Sequence, residues 1–114
     1  MDDIDLSGQD YRAIIDAATV PIAISRISDG KILFVNKHVE KFLAMPASKI
    51  VGRSTIEFYQ QPEKGETVLG IIQRDGRLED MRIGIRTGDG DWVWATVNGT
   101  PTDFAGFECM LVVL

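Results

Sequence analysis

The stretch Ile32–Gly52, ILFVNKHVEKFLAMPASKIVG, limits the fold more than any other because its apolar period changes part-way along. Ile32, Leu33, Phe34 and Val35 form a short run of strand formers, preceded by Asp29-Gly30. From Asn36 onward the period is helical. Val39, Phe42 and Leu43 stand at i, i+3 and i+4, and Lys37, Glu40 and Lys41 fall on the wet side. Asn36 is the expected N-cap, its side-chain oxygen accepting the orphan amide of residue 38 or 39. Pro46 closes the helix, since a residue before proline is pushed out of the α region. A short turn, Ala47–Val51, then leads to Gly52.

Upstream, Ser7 is the expected N-cap of a helix running to about Ala18, with Tyr11, Ile14, Ile15 and Ala18 as one apolar stripe at i, i+3, i+4 and i+7. Pro21 breaks it. A strand over Ile22–Ile27 then joins Ile32–Val35 through a tight Asp29-Gly30 hairpin, the dipeptide supplying positive φ angles. Downstream, Ser54–Tyr59 reads as a single helical turn. Pro62 opens a longer helix in which Gly65, Val68, Leu69 and Ile72 share a face, and Gly76 suits its left-handed end. Gly65 and Gly70 each weaken that helix by roughly 1 kcal/mol relative to alanine, so it is the softer of the long helices.

The last third is strand-rich. In Arg77–Thr87, Met81, Ile83 and Ile85 alternate with Arg82, Gly84 and Arg86, as in a half-buried strand. Asp91–Thr100 puts Trp92 and Trp94 on one face and Val93, Ala95 and Val97 on the other. After a turn at Asp103–Gly106, Phe107–Leu114 is apolar on both faces apart from Glu108, the pattern of a central strand. These elements make an α+β domain: a five-stranded antiparallel sheet in the order 2-1-5-4-3, short helices packed on one face, and an N-terminal amphipathic helix. Residues 1–18 are read as acidic leader and helix, and 19–114 as the domain proper.

Charge and composition exclude several functions. Seventeen acidic against 12 basic residues leave a net charge of −5, which argues against nucleic acid and anionic membranes as partners. No apolar run reaches the ~18 residues of a membrane span, and the start Met1-Asp2-Asp3 is the reverse of a basic signal-peptide region. The single cysteine, Cys109, permits no internal disulfide and fits a cytoplasmic location.

The ordered features resemble a PAS domain of the bacterial S-box type over about Tyr11 to Leu114. They are the Asp29-Gly30 hairpin followed by ILFVN at 32–36, the helix carrying Phe42 and Leu43, and Ile50-Val51-Gly52-Arg53. Arg74-Asp75-Gly76, the GDGDWV run at 88–93, and Pro101-Thr102-Asp103 with Gly106 complete the set. The resemblance implies a sensory or dimerising module of a larger signalling protein such as a histidine kinase or diguanylate cyclase, with an effector domain beyond Leu114 and Met1 near the start of its parent. Flavin-binding relatives carry a reactive cysteine where this chain has Arg53-Ser54-Thr55-Ile56-Glu57-Phe58, and haem-binding relatives a histidine where it has Glu63–Asp75. Neither residue is present, so neither cofactor is expected.

The remaining site candidates come from the residues. Phe42, Phe58, Leu69, Ile72, Ile83, Ile85 and Leu111 are placed between helices and sheet, where family members hold ligands, with Arg53, Thr55 or Tyr59 as the polar anchor. The same residues read first as the filling of the core. Tyr11, Ile14, Ile15 and Ala18, with Trp92 and Trp94, are the dimer-interface candidates. His38, second residue of a helix, reads as a surface residue; Cys109 reads as a small buried hydrophobe. Arg74, Arg77, Arg82 and Arg86 could receive an anion but read first as a wet face. No metal site is expected. Catalysis is the least supported function, because Asp16, Glu57 and Asp80 stand in no nucleophile–base arrangement. A ligand-responsive sensor and a ligand-free interaction module, both as a homodimer, stay open.

Overall fold

Strands from the two ends of the chain meet in the middle of one sheet. The computed structural model describes residues 13–15 and 17–114. Its elements are β1 (Ile22–Arg26), β2 (Ile32–Val35), α1 (Lys37–Leu43), the 3-10 turns η1 (Ala47–Lys49) and η2 (Thr55–Phe58), α2 (Lys64–Asp75), β3 (Leu78–Arg86), β4 (Trp92–Phe104) and β5 (Phe107–Val113). The sheet is five-stranded, in the order β2-β1-β5-β4-β3, and every neighbouring pair is antiparallel. Residues 13–15 and 17 are helical. Ser7, Tyr11 and Asp16, read above as cap, stripe residue and acid, lie outside the described residues.

Asn36 holds the N-terminal half together. Its side-chain oxygen accepts from the Val39 amide at 3.1 Å, capping α1, and from the Ile22 amide at 3.1 Å, tying β1 to that cap. Its side-chain nitrogen donates to the carbonyls of Ile15 at 3.0 Å and Val20 at 2.8 Å. One buried amide thus serves helix, strand and N-terminal segment, and its donors and acceptor are all used.

Antiparallel pairing puts directly opposed residues on one face of a sheet, so register divides the inside from the outside. On the inner face Ala23 opposes Val112, Ser25 opposes Met110, and Ile83 opposes Ala95. This face packs with Val39, Leu43, Ile50, Phe58 and Val68 of the helical layer. On the outer face Ile24 opposes Leu111, and both join Ile15, Phe104 and Cys109 in a second cluster beneath the N-terminal helical residues.

Three local features depart from expectation. The β1–β2 turn spans Ile27 to Gly30, with the Gly30 amide bonded to the Arg26 carbonyl at 2.8 Å, and only Gly30 has positive φ, at 72°. Asp29 acts through its carboxylate, which accepts from the Lys31 amide and pairs with Arg26. β4 continues past Pro101 to Phe104, because the chain turns on Ala105 and Gly106 alone, both left-handed. β3 carries a bulge between Leu78 and Met81, where Asp80 takes φ 47° and its amide bonds Asn98 Oδ1 at 2.9 Å.

Candidate ligand-binding site

Between the inner sheet face and the helices lies a cavity of about 380 Å³. It exists because the inward residues of β1, Ala23 and Ser25, are small where their outward neighbours Ile22 and Ile24 are large. Ile83 and Ile85 of β3, Val97 of β4, and Met110 and Val112 of β5 line its floor. Val39 and Leu43 of α1, Phe58 of η2, and Val68, Leu69 and Ile72 of α2 line its roof.

The polar lining is concentrated where the β1–β2 turn meets η2. Ser54 Oγ donates to the Asp29 carbonyl at 3.2 Å, the Thr55 amide donates to the Gly30 carbonyl at 2.9 Å, and Ser54 with Glu57 forms a capping box. Ser25 is 7% exposed, and its hydroxyl has no hydrogen-bond partner among the described residues. Burial pushes the Tyr59 hydroxyl pKa above its ordinary value, opposed by its hydrogen bond with Thr55, so the phenol stays neutral at physiological pH.

Of the residues expected at a pocket, Phe58, Leu69, Ile72, Ile83 and Ile85, with Thr55 and Tyr59, line this cavity. Leu69 does so from the rim, at 40% exposure. Three expectations are corrected. Leu111 lies on the opposite face of the sheet, opposed to Ile24, and its neighbours Met110 and Val112 point inward instead. Phe42 is half-buried and packs against the main core without reaching the cavity. Arg53 is absent from the lining: its guanidinium lies 4.6 Å from the Phe58 ring centre and pairs with Glu57 at 3.3 Å. Sequence reasoning missed Val39, Leu43 and Val68 of the roof and, on the sheet, Ala23, Ser25, Val97, Met110 and Val112 among others. The signal available was the small–large alternation of β1, which marks an inner face with room above it.

The other candidates fall elsewhere. Ile15 is buried in the outer cluster, Ala18 is half-buried, and Ile14 is 57% exposed. Trp92 and Trp94 project from the outer face, 40% and 63% exposed, beneath the guanidinium groups of Arg86 and Arg82 at 4.5 and 4.9 Å. Arg74 pairs with Asp75 and Arg77 with Glu79, so the four arginines form no joint anion site. Cys109 is fully buried on the outer face, and burial raises its thiol pKa. No group of His, Cys, Asp or Glu among the described residues gathers as for a metal ion. No described helix is long and apolar enough to cross a membrane.

The sequence matches the family model described as PAS fold over residues 9–114. The chain belongs to the PAS family. Among solved structures, this PAS domain is similar to that of an HTR-like protein from Haloarcula marismortui, with 22% identity and a TM-score of 0.70 over 92% of this chain and 87% of the other. A PAS domain from a two-component sensor histidine kinase aligns with a TM-score of 0.77 at 9% identity, covering 92% and 91% of the two chains. The PAS domain, in complex with ethanol, of a LuxR-family transcriptional regulator from Burkholderia thailandensis aligns at 0.75 with 18% identity, covering 92% and 96%. At these identities the likeness is one of fold. No curated protein matches the chain.

Proposed function

We propose that this PAS domain is the non-catalytic sensory module of a cytoplasmic signal-transduction protein, and that it responds to a small molecule held between the helices and the inner sheet face. The observation that carries this reading is the apolar cavity, whose lining strands include β5 at the centre of the sheet. A ligand there contacts Met110 and Val112 directly, so occupancy can bias whatever follows the last strand, for which a histidine kinase or diguanylate cyclase effector is proposed. One PAS domain of similar fold has been solved with ethanol, an instance of a small organic molecule on this scaffold. The lining has no histidine and no cysteine, which supports the absence of haem ligation by histidine and of a cysteinyl flavin adduct. Native mass spectrometry of protein purified without refolding tests the reading. A non-covalent small molecule lost on denaturation is expected; identical native and denatured masses in repeated preparations count against it.

A second reading has its own observation. Trp94, Trp92 and Phe107 leave apolar area exposed on the outer face, and Ile14 does so on the helical residues over that face. We propose that a second copy of the chain covers this area, making the domain a homodimer.

A further inference from the structure

The charges around the cavity restrict what it can hold, provided it is the sensory site proposed above. Arg26 is the one Lys or Arg among the described residues that line it. Its guanidinium is engaged elsewhere: Nε and Nη2 donate to the two Asp29 carboxylate oxygens at 2.9 and 2.5 Å, and the group lies 4.7 Å from the ring centre of Phe107, a residue of the outer-face register. Asp29 is correspondingly engaged, accepting from Arg26 and from the Lys31 amide, and these bonds hold its carboxyl well below the usual range. Glu66, the other acid in the lining, stands on the exposed side of α2 at the rim. Beyond Ser28 and Ser54 at the β1–β2 turn, the described lining offers the Ser25, Thr55 and Tyr59 hydroxyls among apolar side chains.

An ionised group placed there would lose its water without gaining a counter-charge, a loss that hydroxyls alone do not repay. The volume of about 380 Å³ lies near the lower end of ligand pockets, which suits a small molecule of roughly the size of one substituted aromatic ring. We infer that the ligand of this cavity is an uncharged, mostly apolar molecule of about that size, with a single hydroxyl or carbonyl group directed at Ser25, and that carboxylates, phosphates and ammonium compounds are excluded.

A matched trio of one skeleton and three charges tests this: 2-phenylethanol, phenylacetate and 2-phenylethylammonium, each titrated at neutral pH into protein with labelled isoleucine methyls. Ile83, Ile85 and Ile72 report on the cavity, and Ile24 on the outer face serves as control. Only the alcohol is expected to move the first three selectively, at least tenfold more tightly than either ion, and Ser25→Ala is expected to weaken it about threefold to tenfold. Phenylacetate or the ammonium ion binding as tightly as the alcohol overturns the inferred ligand class and leaves the sensory reading standing. If none of the three moves the cavity methyls, the cavity takes no such ligand and both the class and the site are wrong.

Discussion

The side-chain nitrogen of Asn36 lies 3.0 Å from the carbonyl oxygen of Ile15, 21 residues earlier in the chain. With its bonds to Val20, Ile22 and Val39, this contact makes one fully buried amide the point where the N-terminal segment, β1 and α1 are held in register.

Replacing Asn36 removes a helix cap and takes the side-chain partner from the Ile22 amide and the Val20 carbonyl, while the Val39 amide keeps the Asn36 main-chain carbonyl and the Ile15 carbonyl keeps the Ala18 amide. Asn36→Ala is expected to cost about 3 kcal/mol in urea unfolding. Asn36→Asp keeps the acceptor but sets a carboxylate against the Ile15 and Val20 carbonyls, so it is expected to cost at least as much at neutral pH. A loss under about 1 kcal/mol for either variant contradicts the role assigned here.

The cavity makes a specific claim about volume. Val97→Phe adds bulk at its floor, a change that costs about 1–3 kcal/mol in a filled core. Here it is expected to cost less than about 1 kcal/mol while abolishing the 2-phenylethanol shifts at Ile83 and Ile85. A large loss of stability would show that no room exists.

Two glycines are expected to respond with opposite signs. A Cβ at Gly88 would meet the Ala44 carbonyl oxygen at 2.5 Å, where the chain after β3 bonds back to the end of α1, so Gly88→Ala destabilises. At Gly70, in the middle of α2, a Cβ meets nothing within 4 Å, and alanine there is expected to add up to about 1 kcal/mol. Thermal or urea unfolding of the pair checks both signs.

Asp29 ties the stability of the β1–β2 turn to pH. Its carboxyl pKa is depressed, first by the Arg26 hydrogen bond and then by that of the Lys31 amide. A depressed carboxyl contributes stability above its unfolded pKa of about 4 and loses it as pH falls through the folded value. The advantage of wild type over Asp29→Asn is therefore expected to be flat at neutral pH and to shrink progressively below about pH 4. An advantage that grows on acidification contradicts the assignment.

The outer face predicts assembly. Ile14→Asp and Trp94→Asp are each expected to lower the sedimentation coefficient from dimer to monomer with cooperative unfolding retained. An unchanged coefficient in both variants removes the homodimer proposal.

Much of the fold was legible because local periods agree with long-range pairing. The switch at Asn36 marks a strand–helix junction, and Met81, Ile83 and Ile85 mark a face, each within a few residues. The side of β5 was not legible: Cys109, Met110, Leu111, Val112 and Val113 are apolar on both faces, so alternation carries no information. Glu108 misleads further, since it shares parity with the inward Met110 and Val112 yet is exposed, opposite Asp103 near the end of the β4–β5 hairpin. Arg53 looked like a pocket anchor because its chain neighbours are at the pocket. Only coordinates reveal that Glu57 and the Phe58 ring already hold it.

The central claim is that an accessible apolar space separates the helices from the sheet, and xenon tests it without presupposing a ligand. A crystal pressurised with the gas is expected to show a xenon peak among Val68, Ile83, Ile85 and Val97. Full side-chain density closing that space, with no peak, would contradict the claim.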